Sequence, residues 1–262
     1  MNIKMKALVV AAVAAMSVSG AANAALQTSA SGNSSLVLTV IDKVNGKSAT
    51  FDLGFSYSDF AVGAAGSSAS FSWDLNSGNY ADAWNALLVG ANDLVWGVLA
   101  ADNVGSINEA GSMGFITTVR DGQVLPTNLR MAQFSTPMAQ FDNYLNGNNR
   151  LGNHGTVENG ASVAELKDGN AYGGNYYSQD KLKGFGPLAV SAVGVEQNVV
   201  QYFSAVGALG SLTYVQYDAT FKLDANGLLT YTVAAVPEPE TYALLLAGLG
   251  LVGAAARRRK SA

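Results

Sequence analysis

The segment 212–233, LTYVQYDATFKLDANGLLTYTV, constrains the fold of this chain more than any other. Val215, Tyr217, Ala219, Phe221 and Leu223 alternate with Gln216, Asp218, Thr220, Lys222 and Asp224. Successive side chains of a strand point to opposite faces, so this period of two predicts a strand with one buried and one wet face. Asn226-Gly227 then offers the residues of a tight turn, and Leu228 to Val233 returns as a second strand. Asp224-Ala225-Asn226-Gly227 begins like a calcium loop but lacks the later ligands, which leaves a hairpin turn.

The same grammar recurs upstream. In LVLTVIDKVNGKSATFDLG, two β-rich runs flank Asn45-Gly46, which predicts strands near 35–44 and 47–55 joined by a type I′ turn. FSWDL (71–75) reads as a short strand, and DLVWGVLAA (93–101) and MGFITTV (113–119) as buried ones. Between them Tyr80, Trp84, Leu87, Leu88 and Ala91 share one helical face, with Ser77 or Asn79 as cap and Gly90 near the end. A second helix fits Pro137 to Asn146, capped by Thr136, stopped by Gly147, with Met138, Phe141 and Leu145 on one side. Residues 146–180 are rich in Asn and Gly and read as a long loop with a short element near 161–167. Trp73, Trp84 and Trp96 all fall in apolar elements and are expected in the core. The fold class that follows is mainly β: an antiparallel β-sandwich or barrel-like sheet with two or so inserted helices, in one domain.

The two ends of the chain add a different kind of information. Lys4 and Lys6 precede an apolar run, Ala7 to Met16, and a small, polar stretch ending Ala22-Asn23-Ala24. That is the pattern of a secretory signal peptide over 1–24, with cleavage between Ala24 and Ala25. The exported body is then 25–235. The chain contains no cysteine, so export brings no disulfide and stability must come from burial. With both ends set aside, nine Lys and Arg face seventeen Asp and Glu, a balance of −8. Such a body repels phosphate backbones, which argues against nucleic-acid binding.

Motifs for chemistry are scarce. The single histidine, His154, sits in LGNHGTV and reads as a solvated loop residue. There is no G-x-S-x-G elbow, H-E-x-x-H pair, Walker loop or dinucleotide fingerprint. No catalytic residue, cofactor or metal site is assigned. A glycosidase needs only two carboxylates at the right separation, and nothing in the sequence singles out two. The candidate ligand site is GNAYGGNYYSQD, where Tyr172, Tyr176 and Tyr177 are expected to present ring faces from a Gly/Asn loop to sugar or protein.

At the other end, Thr241 to Ala256 is sixteen residues without a charge, followed by Arg257, Arg258, Arg259 and Lys260. As a helix this segment spans ~24 Å, near the lower limit for a ~30 Å hydrocarbon core. The basic cluster stays cytoplasmic by the positive-inside rule, which leaves the body outside. Pro237-Glu238-Pro239 precedes it, and each proline disfavours helix at the residue before, so the membrane helix 241–256 cannot extend upstream. Pro-Glu-Pro, a Gly/Leu/Ala-rich segment and an arginine cluster together resemble the PEP-CTERM sorting signal, here residues 236–262. The runs LVLTVIDKVNG…FDLG and SWDLNS…AWNALL…LVWGVLAAD also look like bodies that such signals accompany.

The resemblance implies a Gram-negative envelope, export machinery, transient residence in the inner membrane and processing by an exosortase, then release or attachment at the cell surface. It implies an association with exopolysaccharide and biofilm matrix. The expected function is an exported structural or adhesive surface protein. The alternatives are a carbohydrate-binding module or a secreted polysaccharide hydrolase.

Overall fold

The computed structural model describes residues 25–106, 109–177, 188–205 and 210–234. In chain order these form β1 (Ser35–Asp42), β2 (Lys47–Ser56), α1 (Tyr57–Phe60), β3 (Phe71–Asp74), α2 (Ala81–Leu88), β4 (Leu94–Asp102), β5 (Gly114–Arg120), α3 (Ser135–Asn148), β6 (Ala161–Glu165), α4 (Gly173–Tyr176), β7 (Ser191–Ala192), β8 (Glu196–Ser204), β9 (Leu212–Leu223) and β10 (Leu228–Val233). The strands make one sheet, ordered β3-β10-β9-β8-β5-β4-β1-β2-β6, with the short β7 beside β4. Every pairing is antiparallel. The ladder is continuous from β3 to β6, so the sandwich alternative gives way to the barrel-like one: a single curled sheet, a half-barrel.

Both faces of this sheet are covered. Val37 and Ile41 of β1 join one core, while Leu36, Leu38 and Val40 of the same strand join the other. A strand buried on both sides needs no polar alternation, which is why β1 and β4 read as nearly continuous apolar runs. On the first face, Phe134 and the α3 residues Met138, Phe141 and Leu145 pack over Leu99, Phe115 and Tyr202. Phe115 lies between Phe134 and Tyr202, with ring centroids 4.9 and 5.2 Å away.

The second face is concave and closes on itself. Trp84 and Leu87 of α2 and Phe60 of α1 fill it together with Phe221 and Tyr231 of the C-terminal hairpin. Phe60 lies 4.8 Å from Tyr231 and 5.9 Å from Phe221. At the seam β3 meets β2 through side chains: Phe71 sits 4.8 Å from Phe55, and Trp73 Nε1 donates to Leu53 O at 3.0 Å. Register irregularities in the β1–β2 and β8–β9 pairs bend the sheet toward this closure.

Several local expectations change in detail. Gly46 and Gly227 have φ of +63° and +82°, but the asparagines before them do not adopt positive φ. A type I′ turn requires both, so neither hairpin has one. Instead a carboxylate organises each loop. Asp42 accepts from the amides of Val44 and Asn45, both at 3.0 Å, and Asp224 from those of Asn226 and Leu228, at 2.8 and 2.9 Å. The α2 helix starts behind a short 3₁₀ turn without a side-chain cap, and α3 starts at Ser135, so Pro137 lies inside its first turn rather than at its first residue. That helix also runs through Gly147. Trp84 and Trp96 are fully buried, whereas Trp73 is half-buried at the seam.

Candidate functional site

The region that carries the sequence signal begins where β10 ends. Leu229 and Tyr231 of β10 are fully buried, and the strand is paired with β3 over Leu228–Tyr231 and with β9 over Leu229–Val233. Its ladder extends one residue beyond the strand, where Ala234 N donates to Asp218 O at 2.7 Å. Pro237 follows three residues later, within ~11 Å of the last pairing even for a fully extended chain. The folded body therefore reaches almost to the motif, with no linker of any length between them.

The predicted signal residues Pro237, Glu238, Pro239, Arg257, Arg258 and Arg259, and the membrane helix 241–256, lie outside the described residues. So do the signal peptide and its Ala22 and Ala24. Ala25 opens the described chain, and the residues after it are fastened to α3. Leu26 N donates to Asn149 Oδ1 at 2.7 Å, Asn149 Nδ2 donates back to Leu26 O at 2.9 Å, and Asp142 accepts from Ser29 N at 2.6 Å. Among the described residues no helix is long and apolar enough to cross a membrane.

The tyrosine loop is corrected by the structure. Tyr172, Tyr176 and Tyr177 are 7%, 2% and 7% exposed and belong to the core under α3. Tyr176 stacks on Tyr144 at 5.5 Å and touches Phe141 at 5.4 Å, and Tyr177 meets it edge-on at 5.4 Å. Gly173 allows this docking: a Cβ there would lie 2.6 Å from Thr39 Cγ2, and its amide donates to Ser48 Oγ at 2.8 Å. The rings that were to stack on a ligand stack on one another. Their large apolar area is worth more inside than in a wet loop.

His154 is also buried rather than solvated. Its Nε2 lies 3.1 Å from Ser162 Oγ, which itself donates to Asn148 Oδ1 at 2.7 Å. With the serine proton committed to the amide, Nε2 must be the donor to Oγ, so the imidazole is not placed to activate that serine as a base. Asn148 Nδ2 continues the chain to the carbonyls of Tyr144 and Ala171. Burial pushes the histidine down to about 4 and keeps the ring neutral. This network ties β6 to α3.

Asp52 is a buried acid whose carboxyl accepts from Gly54 N at 3.0 Å. Burial pushes it up to about 6. Among the described residues no three His, Asp or Glu side chains come together as metal ligands. The loop carboxylates Asp42 and Asp224 were missed as structural residues by the sequence reading, although each stands a few positions before an Asn-Gly pair.

No curated protein and no solved structure matches the chain. Residues 235–260, however, match the family model of the PEP-CTERM protein-sorting motif. The match begins at the residue after Ala234, where the body ends, and this chain carries the PEP-CTERM sorting signal, the mark of an exported protein processed by an exosortase.

Proposed function

We propose that this protein is a structural or adhesive component of the cell surface or extracellular matrix, with a non-enzymatic body delivered by its C-terminal signal. The observation that carries the reading is the junction: a sorting motif that starts one residue after Ala234, the last residue that β9 holds, on a strand whose Leu229 and Tyr231 are fixed in the core. The body's buried polar groups support it. His154, Ser162 and Asn148 fasten β6 to α3, Asp142 fastens the N-terminal segment, and Asp42 and Asp224 shape hairpin loops. Each serves the fold.

Processing is tested by a tag placed after Lys260, followed by blotting of membrane and medium. The tag should be absent from the surface-exposed protein; a tag that travels with it means that the tail is a permanent anchor. Arg257, Arg258 and Arg259 to Ser should release unprocessed chain, while Pro237 and Pro239 to Ala should leave it inserted and uncut. The role of the body is tested by deleting the gene. Unchanged adhesion and biofilm would remove the structural reading.

A further inference from the structure

Strand β9 is paired with β8 over Leu212–Gln216 and again over Thr220–Lys222, with a register shift between, but β10 covers only Ala219–Leu223 of its other edge. Ala234 N reaches Asp218 O, and at the far end Leu212 N donates to Leu129 O at 2.8 Å beside the Arg130–Ser211 bridge. Residues 213–217 lie between these two occupied points. The backbone groups of alternate residues in a strand face the same neighbour. Asp218 and Leu212 both face the open side, whereas Ser211 O faces β8, where it accepts from Ala205 N. The amides and carbonyls of Tyr214 and Gln216 therefore face the open edge, which has no strand beside it among the described residues. Thr213 to Gln216 are also exposed through their side chains. Such an edge is a template for an added strand.

We infer that this open edge of β9 is a docking track for the segment of this chain that follows Ala234, residues 235–239, which lie outside the described residues. The register selects that occupant. Val233 lies opposite Ala219. Continued in step, Val236 falls opposite Gln216, Pro237 opposite Val215, Glu238 opposite Tyr214 and Pro239 opposite Thr213. The phase is fixed by two bonds: Val233 N points away from β9, to Ser70 Oγ, and Ala234 N points toward it. Val236 and Glu238 thus turn their N–H groups to β9. Both prolines fall at outward positions, where a missing N–H costs no ladder bond. The track ends at Leu129 and Arg130 after room for about this many residues.

The functional consequence rests on the sorting-signal reading. Docked, Pro-Glu-Pro is held extended with one edge against the body, so the processing enzyme either meets its outer edge or waits for it to peel away. Docking thereby regulates access to the signal.

The test uses the full chain, which has no cysteine of its own. Val215→Cys with Pro237→Cys places two thiols across a non-hydrogen-bonded pair, a geometry suited to a disulfide. Val215→Cys with Glu238→Cys is out of step by one residue, on opposite faces. The first pair should oxidise at least ~10-fold faster than the second; equal rates overturn the proposal. Independently, hydrogen exchange at the Tyr214 and Gln216 amides should be ~10-fold or more slower in the natural chain than in Val236→Pro with Glu238→Pro. Thr220 and Thr230 serve as the folding control. Unchanged exchange at Tyr214 and Gln216 also overturns it. Both readouts are independent of processing, so a failed track with normal tag removal sinks docking alone, and a retained tag with a formed disulfide sinks only the sorting reading.

Discussion

Gly227 lets two effects be separated in one experiment. Its φ is +82°, and an added Cβ would stand 2.7 Å from Trp84 Nε1 and 2.8 Å from Trp84 Cε2. Trp84 is fully buried against Phe51, so its ring has no free space to swing into. Gly227→Ala therefore carries the left-handed penalty of ~1–2 kcal/mol and an overpacking cost of ~1–3 kcal/mol. Gly63 is the control: its φ is +85°, but nothing lies within 4 Å of the position its Cβ would take. Gly63→Ala should lose ~1–2 kcal/mol from strain alone. Urea unfolding followed by tryptophan fluorescence measures both variants, and Gly227→Ala should be the less stable by ~1–3 kcal/mol. Equal losses would mean that contact with Trp84 is not what the glycine serves. No loss in Gly227→Ala would refute the positive-φ turn itself.

Other outcomes follow from the buried polar and aromatic groups. The raised Asp52 favours the protonated fold, so its contribution is present at low pH and is lost as pH rises from about 3.8 to about 6. The depressed His154 acts the other way: its contribution is present above about 6.5 and lost as pH falls toward about 4. The two oppose each other between pH 4 and 6. Asp52→Asn should raise stability at pH 7 by ~2–3 kcal/mol and unmask a decline on acidification, read by denaturation across pH 4–7; a flat profile would count against the buried, neutral His154. Tyr176→Ala should cost ~3–5 kcal/mol in chemical denaturation, as a core deletion does. A loss of only a few tenths would mean that the ring is not packed. Trp73→Phe removes the donor to Leu53 O at the seam and should cost ~1 kcal/mol, with the rest of the half-barrel intact by circular dichroism.

Much of the sheet was legible because its wet strands alternate and its dry ones are continuous. Leu228–Val233 was found residue for residue, and β1, β2, β4 and β5 to within a few positions. Strand β8 was not found. Its apolar residues come in adjacent pairs, Val199-Val200 and Tyr202-Phe203, because Val199 feeds one core and Val200 the other. A strand buried on two sides inside a polar sequence has no period to read. The tyrosines and His154 were misplaced for a related reason. Gly and Asn nearby signal a loop, but they do not say whether that loop leaves the surface or folds under a helix, and Gly173 permits the second. The sorting signal was legible because it is linear: proline, an uncharged run and arginines act through order along the chain and need no tertiary partner.

The way the chain leaves the body has a mechanical side. Hydrogen bonds of an antiparallel ladder lie across the strands. Up to Ala234 the backbone follows the direction of β10, held by β9 to its end and by β3 over Leu228–Tyr231. Tension applied through the tail and along that direction is met in shear by both ladders together, whereas the same force applied sideways would open them one bond at a time, beginning with Ala234. A body pulled through its tail is thus gripped at a load-bearing strand, and its resistance depends on the angle of pull.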